Sequence, residues 1–134
     1  ILLYGCEAWT TTEVLEKAIN GSYTRMLRKA LNVHWSSHTT NAEQYGDLPR
    51  VSDKIASRRL QLAGHCFRHP ELSTQPLVLW IPTHGGRRRG RPKKTYVDVL
   101  MRDSGAATPR ELATTMEDRG VWRSRVVGRL KPTK

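Results

Sequence analysis

Five small groups of residues in this 134-residue chain have types that could do chemistry. His65-Cys66-x-x-His69, with Cys6 or His84 brought round, offers enough nitrogen and sulfur ligands for a tetrahedral zinc site. The spacing argues against it. Adjacent residues on a helix point about 100° apart, and no second Cys-x-x-Cys or His-x-x-x-His completes the set. Cys66 also falls on an apolar stripe, where a thiol behaves as a small hydrophobe. His34 and His38 are four residues apart, but they sit in a Ser/Thr-rich stretch with no glutamate between them. Asp98 and Asp103 are five apart and do not share a helix face well enough for paired acid–base work. Asp118 beside Glu117 reads as solvated surface, and Gly85-Gly86-Arg87 lacks the helix start and Lys-Ser/Thr of a phosphate-cradling loop. The sequence therefore predicts no catalytic residue, no metal and no cofactor.

One more group is of a different kind. Arg87-Arg88-Arg89-Gly90-Arg91-Pro92-Lys93-Lys94 places six cations around Arg-Gly-Arg-Pro and resembles the core of an AT-hook. Gly90 lets the backbone approach a groove floor. Arg89 and Arg91 suit a narrow, strongly negative minor groove. Pro92 turns the chain away, and Lys93 and Lys94 suit phosphates, whose neutralisation releases counterions and makes affinity salt-dependent. The plainer alternative is a nuclear-localisation-like or generic RNA- or DNA-binding basic run. The four tryptophans, Trp9, Trp35, Trp80 and Trp122, could stack on bases, but in so lean a chain they read as core or cap residues.

Charge and composition support a polyanionic partner. Lys and Arg number 23 against 12 Asp and Glu, a formal charge of +11. Residues 1–50 are neutral and residues 84–94 carry +6, so over half the excess lies in about a twelfth of the chain. Charge so concentrated is an electrostatic footprint. The longest apolar run, 77–81, is five residues, far short of the ~20 a membrane helix needs. No signal-peptide pattern opens the chain, and two cysteines exclude a disulfide scaffold and suit a reducing compartment. An intracellular, nuclear location follows as the expectation, with no membrane partner. Residue 1 is isoleucine, and Ile1-Leu2-Leu3-Tyr4 reads as the end of an element from a preceding domain.

The elements that must position these residues are helical. Leu15, Ile19, Tyr23, Met26, Leu27 and Leu31 recur at helical spacing behind the threonines at 10–12, with a kink or break open at Asn20-Gly21. A short helix around 42–45 follows a polar linker, and Pro49 resets the chain. Ile55, Leu62, Ala63 and Cys66 predict a second long helix over 52–67, with Arg58, Arg59 and Arg68 off its stripe. Residues 77–81 fit a short strand or an apolar tether before the basic loop. Tyr96, Val97, Leu100 and Met101 predict a helix over 94–104 stopped by Gly105. Thr108-Pro109-Arg110-Glu111 is a helix start for Leu112 and Met116. A last helix over 118–130 turns Trp122, Val126 and Leu130 inward and Arg119, Arg123, Arg125 and Arg129 outward. The predicted class is mainly α: four to five helices in small bundles, a basic Gly/Arg loop and at most one short strand. Divisions fall at 1–48, 49–83, 84–94 and 95–134.

Five segments, in this order, are similar to the region downstream of the polymerase core in non-LTR (LINE-type) retrotransposon reverse transcriptases. They are Leu2-Leu3-Tyr4-Gly5-Cys6-Glu7-Ala8-Trp9, Tyr23 to Arg28, Arg58 to His65, Arg89 to Tyr96, and Asp118 to Arg123. The resemblance implies a thumb and post-thumb region, with 1–48 thumb-like and continuing an upstream polymerase domain. It also implies that the polymerase aspartates lie upstream, so this chain is not itself an enzyme although its parent is an RNA-directed DNA polymerase. The Cys-rich zinc knuckle of some relatives has no counterpart here.

The expectation is a non-catalytic fragment that grips template–primer or target DNA during target-primed reverse transcription. Arg25, Arg28 and Lys29 would line a duplex, and residues 87–94 with Arg119, Arg123 and Arg125 would hold flanking RNA or DNA. Two alternatives stand beside it: a domesticated AT-hook-type DNA-tethering module, and a protein-interaction domain that binds no nucleic acid.

Overall fold

Threonine and aspartate side chains decide where most of the helices begin. In a computed structural model that describes residues 3–81 and 94–130, helix α1 (Glu13–Ala30) starts at Thr12, whose hydroxyl accepts the Leu15 N–H. Helix α2 (Asn41–Tyr45) starts with a reciprocal capping box between Thr40 and Glu43. Helix α3 (Val51–Arg68) follows Pro49, and a single turn, α4 (Gln75–Val78), comes after it. Helix α5 (Tyr96–Ser104) has a second capping box, Thr95 with Asp98, and ends at Gly105 in the left-handed conformation, φ 77°. Thr108 and Pro109 open α6 (Pro109–Glu117), and the Asp118 carboxylate accepts two backbone N–H groups at the start of α7 (Arg119–Gly128). A short 3-10 turn, Cys6–Ala8, precedes α1 and another, Trp35–Ser37, follows it. The class is mainly α, with no strand among the described residues.

Helix α3 is the axis of the molecule because one broad side of it is buried along its length. Leu60, Ala63 and Cys66 pack with Val78 from α4, Val97 and Leu100 from α5, Leu112 and Met116 from α6, and Trp122 and Val126 from α7. Nearer its start, Val51 and Ile55 pack with Cys6, edged by Leu3, Trp9, Ile19 and Tyr23. Each fully buried Val, Leu, Ile or Met among these contributes about 1.5–3 kcal/mol of hydrophobic stabilisation. Segments on both sides of the basic stretch therefore share one core.

Several expectations are corrected. Residues 77–81 form neither strand nor extended tether, because Gln75–Val78 coils into α4 and buries Val78 on α3. Leu62, Leu15, Met26, Leu31 and Leu130 are exposed rather than inward. For α1 the reason is a polar joint with its neighbours. Asn20 exchanges hydrogen bonds with the Ser52 side chain (3.0 Å) and Ser52 N–H (3.1 Å), and Thr24 meets the Tyr45 hydroxyl at 3.0 Å. Only Ile19 and Tyr23 of the predicted stripe reach the smaller core. The helix runs unbroken through Gly21, absorbing the cost of about 1 kcal/mol that glycine carries relative to alanine.

Arg59 is the largest correction. It lies among the core residues, 1 % exposed, one helical repeat after Ile55 and one before Ala63. Its guanidinium pairs with the buried Asp103 carboxylate and donates to Thr11 Oγ1 at 3.2 Å. Thr11 in turn donates to Glu16 (2.6 Å), Glu16 pairs with Arg102 (2.6 Å), and Arg102 returns to Asp103 (2.9 Å). This closed ring of charge ties α1, α3 and α5 together and leaves neither buried carboxylate nor guanidinium without a counter-charge.

Candidate nucleic-acid interface

The cations predicted to hold nucleic acid divide into three groups. Arg87, Arg88, Arg89, Gly90, Arg91, Pro92 and Lys93 lie outside the described residues, and Lys94, the last of that run, is exposed. A second group is occupied by the fold. Arg28 donates to the Thr39 carbonyl (2.6 Å) and to Asn41 Oδ1 (3.1 Å), fixing the link between α1 and α2. Arg125 donates to the Ser104 carbonyl at 2.9 Å, and Arg129 to the Asp103 and Arg102 carbonyls at 2.7 and 2.8 Å. These two arginines cap the orphan carbonyls at the end of α5, which also places positive charge at the negative end of its dipole. Arg125 is exposed, as expected, but this bond commits part of its guanidinium to the fold, and Arg28 is only partly available.

The third group is free. Arg25 and Lys29 on α1, and Arg119 and Arg123 on α7, are exposed and make no ion pair among the described residues. Each pair is spaced i,i+4, so its two charges stand one turn apart on one helix face. Like charges at that spacing repel by a few tenths of a kcal/mol. An anion bound across each pair would relieve this.

Two aromatic faces were misplaced by the sequence reading. Trp35 is 79 % exposed and Trp80 59 % exposed, whereas Trp122 is buried and Trp9 partly so. Trp35 follows the C-terminal end of α1, where Lys29 stands, and its ring lies 5.4 Å from that of His34. Exposed indoles are stacking surfaces for unpaired bases. The signal that could have found Trp35 is local: it is followed by a run of Ser, Thr and His with no apolar residue at 36–41.

The other constellations resolve plainly. Cys6 and Cys66 are both buried free thiols, in different clusters. The His65 and His69 rings lie 4.4 Å apart, and His69 Nδ1 is 2.6 Å from Glu71, whose carboxyl is held below its ordinary range first by its own backbone N–H and then by His69. Cys66 does not join them, and no three metal-ligating side chains gather among the described residues. Asp98 accepts hydrogen bonds from Thr95, which hold its carboxyl low, and Asp103 sits in the buried ring of charge. No helix of the described residues is long and apolar enough to cross a membrane.

The segments that carried the family resemblance meet one another. Trp122 donates to the Leu60 carbonyl (2.8 Å), Tyr96 donates to the Glu7 carbonyl (3.1 Å), and Arg58 reaches Glu7 and the Leu3 carbonyl. Packing and hydrogen bonding account for Trp122, Tyr96 and Arg58 in these segments, while Arg25, Arg119 and Arg123 in the same segments stay exposed. Comparison of the chain with protein-family models, with curated proteins and with solved structures finds no match in any of the three.

Proposed function

We propose that this chain is a non-catalytic nucleic-acid-binding module, and that its parent is a retrotransposon-type reverse transcriptase in which it grips template–primer or target DNA. One observation carries the binding reading. After the fold has taken up Arg28, Arg59, Arg102, Arg125 and Arg129, two i,i+4 cation pairs remain exposed with no ion-pair partner among the described residues, in a chain of net charge +11 whose segment 84–94 alone holds six cations. Such residual charge suits a phosphate backbone, to which it binds largely without regard to sequence. Exposed Trp35 and Trp80 add stacking faces of the kind single strands use. The link to a reverse transcriptase rests on the five ordered segments alone.

The experiment is a salt titration of binding to an A·T-rich duplex, a mixed duplex and an RNA–DNA hybrid, repeated after joint neutralisation of Arg87, Arg89, Arg91, Lys93 and Lys94. Comparable affinities with a steep salt slope, reduced in the variant, are expected. A strong A·T preference would move the reading to a minor-groove tether. No binding at about 150 mM salt would leave a protein-interaction domain.

A further inference from the structure

A groove of about 400 Å³ lies between α1, α2 and the start of α3, apart from both apolar cores. Its volume is near the lower end of the roughly 300–1,000 Å³ of small-ligand sites, room for one compact group and not for a duplex. The residues that matter in its lining are Lys17, Gly21, Tyr45, Pro49, Arg50 and Asp53.

Gly21 is the informative one. Glycine weakens a helix interior relative to alanine, so its place in the middle of α1 calls for a reason. Packing supplies none, since a Cβ at residue 21 would meet no heavy atom within 4 Å, and its φ is not left-handed. What a side chain there would occupy is groove. The bare backbone gives a flat group a surface it can approach closely.

Charge narrows the ligand. Lys17 and Arg50 are exposed at this lining and make no ion pair among the described residues, which suits an anion. Asp53 is half-buried beside them and suits an N–H donor. Burial raises its carboxyl above the ordinary range, while Arg129 and Arg50 pull it down and Glu16 and Asp103 push it further up. A nucleotide carries an anion, a flat ring and N–H groups together. An acidic peptide supplies the anion without a ring to lie over Gly21.

We propose that this groove takes one unpaired nucleotide of the bound strand, its phosphate against Lys17 and Arg50, its base over Gly21 beside Tyr45 and Pro49, and a base N–H donating to Asp53. The inference rests on the nucleic-acid reading above and adds to it a preference for strands with an unpaired end.

The test compares binding of the whole chain to a blunt duplex and to the same duplex with a short single-stranded tail. Wild type is expected to prefer the tailed duplex about tenfold, the order that stacking one base supports. Gly21→Leu should abolish that preference, leave blunt-duplex affinity unchanged and raise the thermal midpoint. Lys17→Gln, at an exposed position that does not threaten folding, should reduce the preference as well. A preference that survives both variants overturns the proposal. Equal binding of blunt and tailed duplex by wild type overturns it while leaving the nucleic-acid reading intact, and binding of neither overturns both. If a glutamate-rich peptide binds instead, and Gly21→Leu blocks it, the nucleotide assignment is wrong.

Discussion

The indole of Trp122 lies against the bare backbone of Gly64. Its Nε1 donates to the Leu60 carbonyl at 2.8 Å, and a Cβ at residue 64 would collide with that nitrogen and the neighbouring ring carbon. A glycine in the middle of α3 and a tryptophan near the start of α7 are thus one feature, joined across 58 positions of sequence (122 − 64).

The pair predicts a change of sign. Gly64→Ala alone should destabilise the protein by about 2 kcal/mol, since the indole must leave its place and its hydrogen bond. In a Trp122→Ala background the same substitution should stabilise by up to about 1 kcal/mol, the ordinary gain of alanine over glycine in a helix. Denaturant unfolding of the two single variants, the double variant and wild type measures the coupling. Additive effects would show that the contact is not made.

Removing one member of the buried ring of charge should be more costly. Asp103→Ala strands Arg59 at 1 % exposure and takes a partner from Arg102, so a loss of about 3–5 kcal/mol is expected in the same measurement. Replacing Arg59 and Asp103 together by apolar residues of similar volume should recover most of it.

Alkaline pH should weaken the fold through Tyr96. Burial pushes this phenol up to about 12 from an ordinary value of 10.0, with the nearby Arg59 pulling the other way. The folded state therefore keeps its proton at a pH where the unfolded chain has lost it. Its contribution is intact below pH 10 and declines as pH rises from 10 to about 12. Allowing for the partial exposure of the ring, the loss is on the order of 1 kcal/mol. Tyr96→Phe should flatten that part of the stability profile; a Phe variant with the same alkaline slope would assign the effect elsewhere.

The division of the arginines on α7 can be read directly. Arg119→Gln with Arg123→Gln should leave the thermal midpoint within a degree or two and lower the slope of log affinity against log salt by about two, if each contacts one phosphate. Arg125→Gln should do the reverse, lowering the midpoint through loss of its bond to the Ser104 carbonyl with little change of slope. Equal behaviour of the three would remove the distinction between ligand-facing and fold-committed cations.

Helix positions and caps were legible in the sequence because they are set locally. Thr12, Gly105, Thr108 and Pro109 act where residue type alone places them. What the pattern did not give was which apolar and charged side chains are covered, since that depends on segments far apart in sequence. Arg59 illustrates the point: it continues the register of Val51, Ile55 and Ala63, but its charge suggested solvent, and its counter-ion lies 44 residues away on α5. The hydrogen bond made by Arg125 was hidden for the same reason, its acceptor being the carbonyl of buried Ser104 at the end of another helix. Leu15, Met26 and Leu31 show the converse, an apolar stripe of which the partner helix covers only the middle. At the candidate interface the identity of the cations was legible, and their availability was not.

The sharing of one core by α3 and α4 on one side of residues 82–93, and α5 to α7 on the other, has a mechanical consequence. A chain cut anywhere in that interval would leave two fragments, each bearing half of a complementary apolar surface, with Leu60, Ala63 and Cys66 facing Leu100, Leu112, Met116 and Trp122. Nicked protein should behave as a split pair that reassembles without the covalent link, losing mainly the entropy of loop closure.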